Sequence, residues 1–445
     1  MKIMSPLACL ILAATPASAD SLLGAWAAAK SHDPGFLGAI DTLAADSEAK
    51  TQARSLFLPQ VRVQGGVESS RSQTNFDLPA AYQSLVPGTT KGQKSSVEVA
   101  VSQAIYDMSA VAQAKQLNEK ARAAKTHFSA EEQNLMLRVT EAWCNLLAAD
   151  DDLRVIRAQK AVTLTELKNA NARFTLGKAR VTDIRESQSQ FDQTSAAEIT
   201  AIARRQIAAA QFRELTGLDN IGTYSFSETF APAPPLEALA DWQARAEKQD
   251  PKVIDAEHRL NSARASINQY SWAGRPTVYA VAGYSGSWFD GTQGQLLSPR
   301  AAEAYSIGAR LSVPLETGGY YPSKLREASA EVRKAEHDLD GSRRDARLEV
   351  QQAWLGVASG VEQINALRTA LASARLQEKA AITGRELGSR TQTDVLAAQT
   401  QVFSTLRQLN SFSYDYEKNR ARLAAKSGDL NEAVLTGIDA DFQKF

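Results

Sequence analysis

Apolar residues recur along this chain with two periods, and the two kinds of stretch come in a repeated order. At residues 61–72, Val61, Val63 and Val67 share one face opposite Arg62, Gln64 and Glu68; at 95–105, Val97, Val99 and Val101 oppose Glu98 and Ser102. At 305–315, Tyr305, Ile307, Leu311 and Val313 oppose Ser306, Arg310 and Ser312. Residues 277–289 alternate poorly but carry Tyr279, Tyr284, Trp288 and Phe289. These four runs predict strands. An apolar face backed by a charged one suits a barrel wall with lipid outside and water inside, and also a half-buried soluble sheet. Each run is close to the roughly 9–11 residues a strand needs to cross a bilayer, which favours the barrel.

After each strand pair the pattern turns helical. Residues 109–176 contain neither Pro nor Gly, and residues 323–384 contain no Pro and only Gly341, Gly356 and Gly360 before their end. At 1.5 Å per residue, about 65 residues of helix run about 100 Å, which points to coiled-coil or tube packing. Shorter return helices are expected at 182–215 and 393–426, and a further helix ahead of each strand pair, at 33–57 and 251–272. Pro59 and Pro276 stand between those helices and the strands that follow, where a helix cannot continue.

The long and return helices meet at two similar turns, 173–184 (Arg-Phe-Thr-Leu-Gly-Lys-Ala-Arg-Val-Thr-Asp-Ile) and 384–395 (Gly-Arg-Glu-Leu-Gly-Ser-Arg-Thr-Gln-Thr-Asp-Val). Leu176-Gly177 and Leu387-Gly388 read as helix ends, because Gly accepts the left-handed cap conformation. Thr182 and Thr393 are expected to cap the return helices, with Asp183 and Asp394 at the positive ends of the helix dipoles. Ala142-Trp143 and Ala353-Trp354, Thr182-Asp183 and Thr393-Asp394, and Leu215 and Lys426 are all 211 positions apart.

Two internal repeats follow, at 20–220 (strands about 61–72 and 95–105, hairpin 109–215) and 236–428 (strands about 277–289 and 305–315, hairpin 323–426). A Pro-rich segment at 221–235 joins them and a tail at 429–445 follows; both read as irregular structure.

Composition narrows the class. The chain has 445 residues and balanced charge, 50 Lys and Arg against 50 Asp and Glu, which gives no support to nucleic-acid binding. Residues 1–19 read as a secretory signal peptide: Lys2, an apolar run, then Ala17-Ser18-Ala19. Beyond it no segment has the roughly 18–20 uninterrupted apolar residues of a membrane-spanning helix. Cys144 is then the only cysteine and reads as a packed small hydrophobe. His32, His127, His258 and His337 read as surface positions on helices. The long helices are rich in alanine, whose side chains bury little area each, so lateral packing against other protomers is expected. No nucleophile elbow, metal-ligand cluster or Gly-rich phosphate loop is present, so an enzyme is not expected, and no cofactor or metal is implied.

The ordered set of strands, hairpins and tips resembles the TolC family of outer-membrane channels. The resemblance is carried by the two tip motifs, by Ser-Gln-Ala-Ile-Tyr-Asp-Met at 102–108, and by Leu-Ser-Val-Pro-Leu at 311–315 with Gly318-Gly319; it spans essentially the whole mature chain. It implies a mainly α chain with β-strands that assembles as a homotrimer. Four strands per chain would make one 12-stranded barrel in the outer-membrane lipid, continued by a long periplasmic α-helical barrel. The implied role is the exit channel of a type I protein secretion system or tripartite efflux pump. Its partners would be a periplasmic adaptor and an inner-membrane ABC or other export transporter.

By position, the resemblance also implies roles for individual residues. Leu176, Gly177, Leu387 and Gly388 would form the adaptor-docking tips, Thr182, Asp183 and Arg390 the gate links, and Asp394 a ring at the constriction. The chain departs from the family pattern twice, with Arg385 in place of a tip tyrosine and Ala397 in place of a second aspartate. For Asp183 and Asp394 the competing reading is simple stabilisation of a helix start. The alternative for the whole chain is a periplasmic coiled-coil structural or adaptor protein, but an adaptor needs lipoyl-like and small β-barrel modules that the sequence does not show.

Overall fold

The computed structural model describes residues 21–73, 89–219, 230–271, 276–292, 300–314 and 317–444, with positions 79, 222 and 224–226. The signal peptide, most of the 73–94 connection and half of the 290–303 connection lie outside them. The elements, in chain order, are α1 (Leu22–His32), α2 (Pro34–Ser47), α3 (Ala49–Ser55), β1 (Gln60–Gln73), β2 (Thr89–Tyr106), α4 (Met108–Thr175), α5 (Val181–Thr216), β3 (Tyr224–Phe226), α6 (Leu239–Gln249), α7 (Pro251–Ser271), β4 (Thr277–Thr292), β5 (Ala301–Ser312), α8 (Tyr320–Glu386), α9 (Gln392–Lys426), α10 (Glu432–Asp439) and β6 (Phe442–Lys444). Two units are distinguished, one with residues up to Leu43, Thr126–Asp255 and Asp340–Phe445, the other with Ala44–Lys125 and Ala256–Leu339.

The second unit holds an antiparallel four-stranded sheet in the order β1-β2-β4-β5. Paired residues share a face, so the register carries each row across the sheet. Val63, Val99, Tyr284 and Tyr305 make one row, and Val61, Val101, Ala282 and Ile307 another. The rows between them are polar or small: Gln64, Glu98, Ser285 and Ala304, then Arg62, Ala100, Gly283 and Ser306. One face is therefore apolar and solvent-facing in the single chain, with Val61, Val63, Val67, Tyr305, Ile307 and Leu311 all exposed.

The poor alternation of β4 has a cause in the same register. Tyr279 and Phe289 stand on the polar face, each with a specific neighbour. The Tyr279 hydroxyl donates to Asp107 Oδ2 at 2.6 Å, and the Phe289 ring lies over Gly92, where a Cβ would collide with it. The ladder also extends beyond the apolar runs, because backbone pairing continues through polar residues such as 89–94. Asp107 caps α4, accepting from the Ser109 and Ala110 amides at 2.9 and 3.1 Å. His258 departs from its expected surface position: it is half-buried, with Nδ1 3.1 Å from Glu119 Oε2.

The expected helix at 33–57 is two helices, α2 and α3, preceded by one not anticipated, α1. Asp33 precedes a proline and is extended (φ −68°, ψ 115°), which ends α1 and lets Pro34 open α2. The second half repeats the device: α6 ends at Asp250 (φ −59°, ψ 125°) and Pro251 opens α7. Asp33 bonds the Phe36 amide and Arg138; Asp250 bonds the Lys252 amide. Burial pushes the Asp33 carboxyl up, yet the bonds from Arg138 and Phe36 outweigh it and hold it below its usual value.

The Pro-rich segment, irregular at 230–235, and the tail each contribute short regular elements. Tyr224–Phe226 pairs antiparallel with Phe442–Lys444, and α10 lies between α9 and β6 in the chain. Both pack into one core with α1, α4, α5 and α9, built on Trp26, Trp143, Phe212, Tyr414, Leu435 and Phe442. The Trp143 ring centroid is 5.9 Å from that of Phe212 and 5.3 Å from that of Tyr224. Phe226 meets Phe230, Tyr414 and Phe442 at 4.5, 4.7 and 4.9 Å. This collar encloses Cys144, whose thiol burial drives upward in pKa. The repeat equivalence of the two tryptophans does not extend to packing. Trp143 is fully buried, whereas Trp354 is half-buried and donates to the Glu237 carbonyl at 3.3 Å.

Candidate functional site: the hairpin tips

The tips are turns that close two helices on their own backbones. At the first, Gly177 takes φ 70° and the Lys178 amide reaches back to the Arg173 carbonyl at 2.8 Å. At the second, Gly388 takes φ 77° and the Ser389 amide bonds the Gly384 carbonyl at 2.8 Å. A Cβ at Gly177 or Gly388 would meet nothing within 4 Å, so conformation rather than space demands glycine there. Leu176 and Leu387 stand out at 70 % and 80 % exposure, apolar side chains with no cover in the single chain.

The helix caps lie two residues earlier than expected. Thr391 is the N-cap of α9; its amide and hydroxyl donate to Asp394 Oδ2 at 2.8 and 2.9 Å, and the Asp394 amide donates to Thr391 Oγ1 at 3.2 Å. This reciprocal box makes the aspartate, not Thr393, the partner of the cap. The Thr391 amide, then its hydroxyl, and more weakly the Arg390 charge hold the Asp394 carboxyl below its usual value. Arg180 takes the equivalent place on α5. Its amide donates to Asp183 Oδ2 at 3.2 Å, but its side chain has no acceptor, so the box is half made. Thr182 is exposed. Arg390 is also exposed, 4.0 Å from Asp394 on its own helix turn. Asp394, Arg390 and Ala397 line a shallow groove between α8 and α9.

None of Thr182, Asp183 and Arg390 has a described bond from one hairpin to the other. A set that sequence reasoning missed does. Arg385 Nη1 lies 2.5 Å from Glu166 Oε2 on α4 and donates to Gln392 Oε1 at 3.0 Å. Gln392 Nε2 donates to Glu166 Oε2 at 3.2 Å and to Ser187 Oγ at 3.4 Å. Thr393 Oγ1 donates to Glu186 Oε2 at 2.5 Å, and Gln190 Nε2 to Thr400 Oγ1 at 3.3 Å. The Arg385 and Glu166 side chains are each only 10 % exposed. The departure at Arg385 was the one signal of this set in the sequence; nothing local marks Glu166.

A sheet with one apolar face in a chain that also carries hairpins of this length fits a membrane channel component. The outer membrane efflux protein family model matches residues 27–218 and 242–429. The chain belongs to that family and is an outer-membrane export channel protein. It is 27 % identical over 430 residues to the outer membrane protein TolC of Vibrio cholerae, covering 95 % of this chain and 94 % of that one. It is 27 % identical over 446 residues to the alkaline protease secretion protein AprF of Pseudomonas aeruginosa, covering 97 % and 89 %. The crystal structure of the outer membrane protein VceC from Vibrio cholerae superposes with a TM-score of 0.75 at 16 % identity, covering 92 % and 96 % of the two chains. Among the described residues no helix is long and apolar enough to cross a membrane.

Proposed function

We infer that the chain is one third of a trimeric duct, with four strands from each copy closing a 12-stranded barrel and the hairpins of three copies forming a periplasmic tunnel. The observation that carries this is the sheet itself. It has four strands, an apolar and a polar face, and unpaired edges at β1 and β5 within one chain. Bare strand edges are not tolerated in hydrocarbon, and four strands are too few to close. Each half carries a strand pair followed by a long helix and a return helix, which supports descent from one duplicated unit.

The duct serves type I secretion or efflux, with a periplasmic adaptor seated on the tips at Leu176, Gly177, Leu387 and Gly388 and an inner-membrane ABC or other export transporter beyond it. Exposed leucines on rigid turns suit such a contact. Similarity to a protein named for alkaline protease secretion supports a polypeptide cargo. In this reading Thr182, Asp183 and Arg390 make links to neighbouring copies, and Asp394 forms a negatively charged ring around the axis that favours cations.

The test is the native mass of the detergent-extracted full chain, with its mobility on gels before and after heating. A heat-dissociated species of three chains from outer-membrane fractions is expected. A monomer that stays in buffer without detergent overturns the reading.

A further inference from the structure

Followed away from α4, the apolar face of the four-stranded sheet ends in a mismatch of charge. Beyond the row of Val67, Ser95 and Trp288 lies that of Ser69, Gln93 and Asp290, and the next row sets Arg71 directly opposite Lys91. Both basic side chains are exposed, and among the described residues neither has an ion-pair or hydrogen-bond partner. Like charges directly across a strand pair stand about 5 Å apart at their Cβ atoms and destabilise it. The polar face of the same hairpin avoids this: there Glu68 stands opposite Lys94, a pair of opposite sign. Asp290 and Glu303 share the face of Arg71 and Lys91, but they lie one and three rows nearer the helices, on the other strand pair.

The level of the mismatch tells what can satisfy it. Along β4 the apolar face carries Val278, Ala280, Ala282, Tyr284, Gly286 and Trp288. At about 3.3 Å per residue and a tilt of about 40°, this stretch rises about 25 Å, the height of the lipid-facing band of an outer-membrane barrel. Trp288 stands at its far edge, where such barrels carry an aromatic girdle. By the same rise and tilt, the Arg71–Lys91 row lies about 10 Å further out, at the level of the lipid headgroups. The helices leave the sheet at its other end, since β2 runs from Thr89 to Tyr106 and α4 begins at Met108. With the helices in the periplasm, this row meets the outer leaflet. An Arg fork and a Lys point charge side by side suit the oxygens of a phosphate.

We propose that Arg71 and Lys91 together hold a phosphate of the outer-leaflet glycolipid, lipid A, with its acyl chains against the exposed Val67 and Val63 below. The bound anion cancels the repulsion between the two cations, so the lipid also tightens the pairing of β1 with β2. The site rests on the export-channel reading and adds a lipid ligand to it.

The experiment is native mass spectrometry of the detergent-extracted full chain, titrated with bisphosphorylated lipid A, its dephosphorylated form, phosphatidylethanolamine and inorganic phosphate. The wild type is expected to bind lipid A at least tenfold more tightly than each of the other three. Arg71→Gln with Lys91→Gln is expected to lose that advantage. Arg71→Glu, which sets opposite charges across the pair as at Glu68 and Lys94, is expected to lose it too, yet to melt higher than wild type when no lipid is added. Wild type that binds the dephosphorylated form equally, variants that bind lipid A like wild type, or lipid-free Arg71→Glu that melts lower than wild type overturn the site. Inorganic phosphate bound as tightly as lipid A makes it an anion seat without a lipid, and phosphatidylethanolamine bound as tightly makes it ordinary surrounding lipid; either result overturns the proposal. Unheated gels report assembly separately: a wild type that never forms the heat-dissociated trimer overturns the channel reading instead.

Discussion

The collar and the tips bring the same two hairpins together by opposite means. In the collar the contact is aromatic and dry; at the tips it is an ion pair, amides and hydroxyls. Apolar burial ties stability to the area removed from water and fails all at once when a large side chain is lost. A hydrogen-bonded seam is weaker in net terms, because water competes for every bond in it.

The largest expected effect is in the collar. Trp143→Ala removes the fully buried ring between Phe212 and Tyr224 and is expected to destabilise the unit by about 3–5 kcal/mol, read by thermal unfolding. An equal loss from Gln392→Ala at the tip would erase the contrast between the regions.

A pH dependence comes next. Glu417 is 0 % exposed and faces Arg420 and Asp441, which bond each other at 2.7 Å. Burial pushes the Glu417 carboxyl up to about 8, with Arg420 opposing and Asp441 adding to the rise. Asp151 and Asp439 are raised mainly by burial too. A carboxyl raised in the folded state stabilises fully below its ordinary value of 4.5, and that stability is lost as pH climbs through about 8. The collar is therefore expected to melt several degrees lower at pH 9 than at pH 5, with Glu417→Gln flattening the slope; an unchanged slope removes Glu417 from the account.

Two smaller effects sharpen the tip side. Asp394→Ala is expected to weaken cation preference in bilayer recordings and to loosen the start of α9, because the same carboxylate caps Thr391. Unchanged selectivity confines Asp394 to the cap. Arg390→Ser is expected to raise basal conductance slightly, and less at high salt, since its contact is exposed. Conductance equal to wild type would leave Arg390 without a gating role.

Much of this architecture was legible residue by residue. Val61, Val63 and Val67 show their alternation because a strand's side chains repeat every two residues, and Gly177 and Gly388 show their turns because φ near +70° is a local demand. The caps were misplaced because Thr182 and Thr393 look like N-caps, while the aspartates at the third helical position choose the residue three places back. The break at Asp33-Pro34 was visible in principle, as was its twin at Asp250-Pro251. The small sheet of β3 and β6 was not, since strands of three residues leave no periodic trace.

By itself the sequence determined the periodic elements and the glycine turns of the tips, because each depends on residues within a few places of one another. Only the tertiary structure decided which side chains close the seam between the hairpins. Glu166 and Arg385 stand 219 residues apart, and no local rule connects them. Their pairing exists because two long helices place them side by side in a shielded space, where an ion needs its partner.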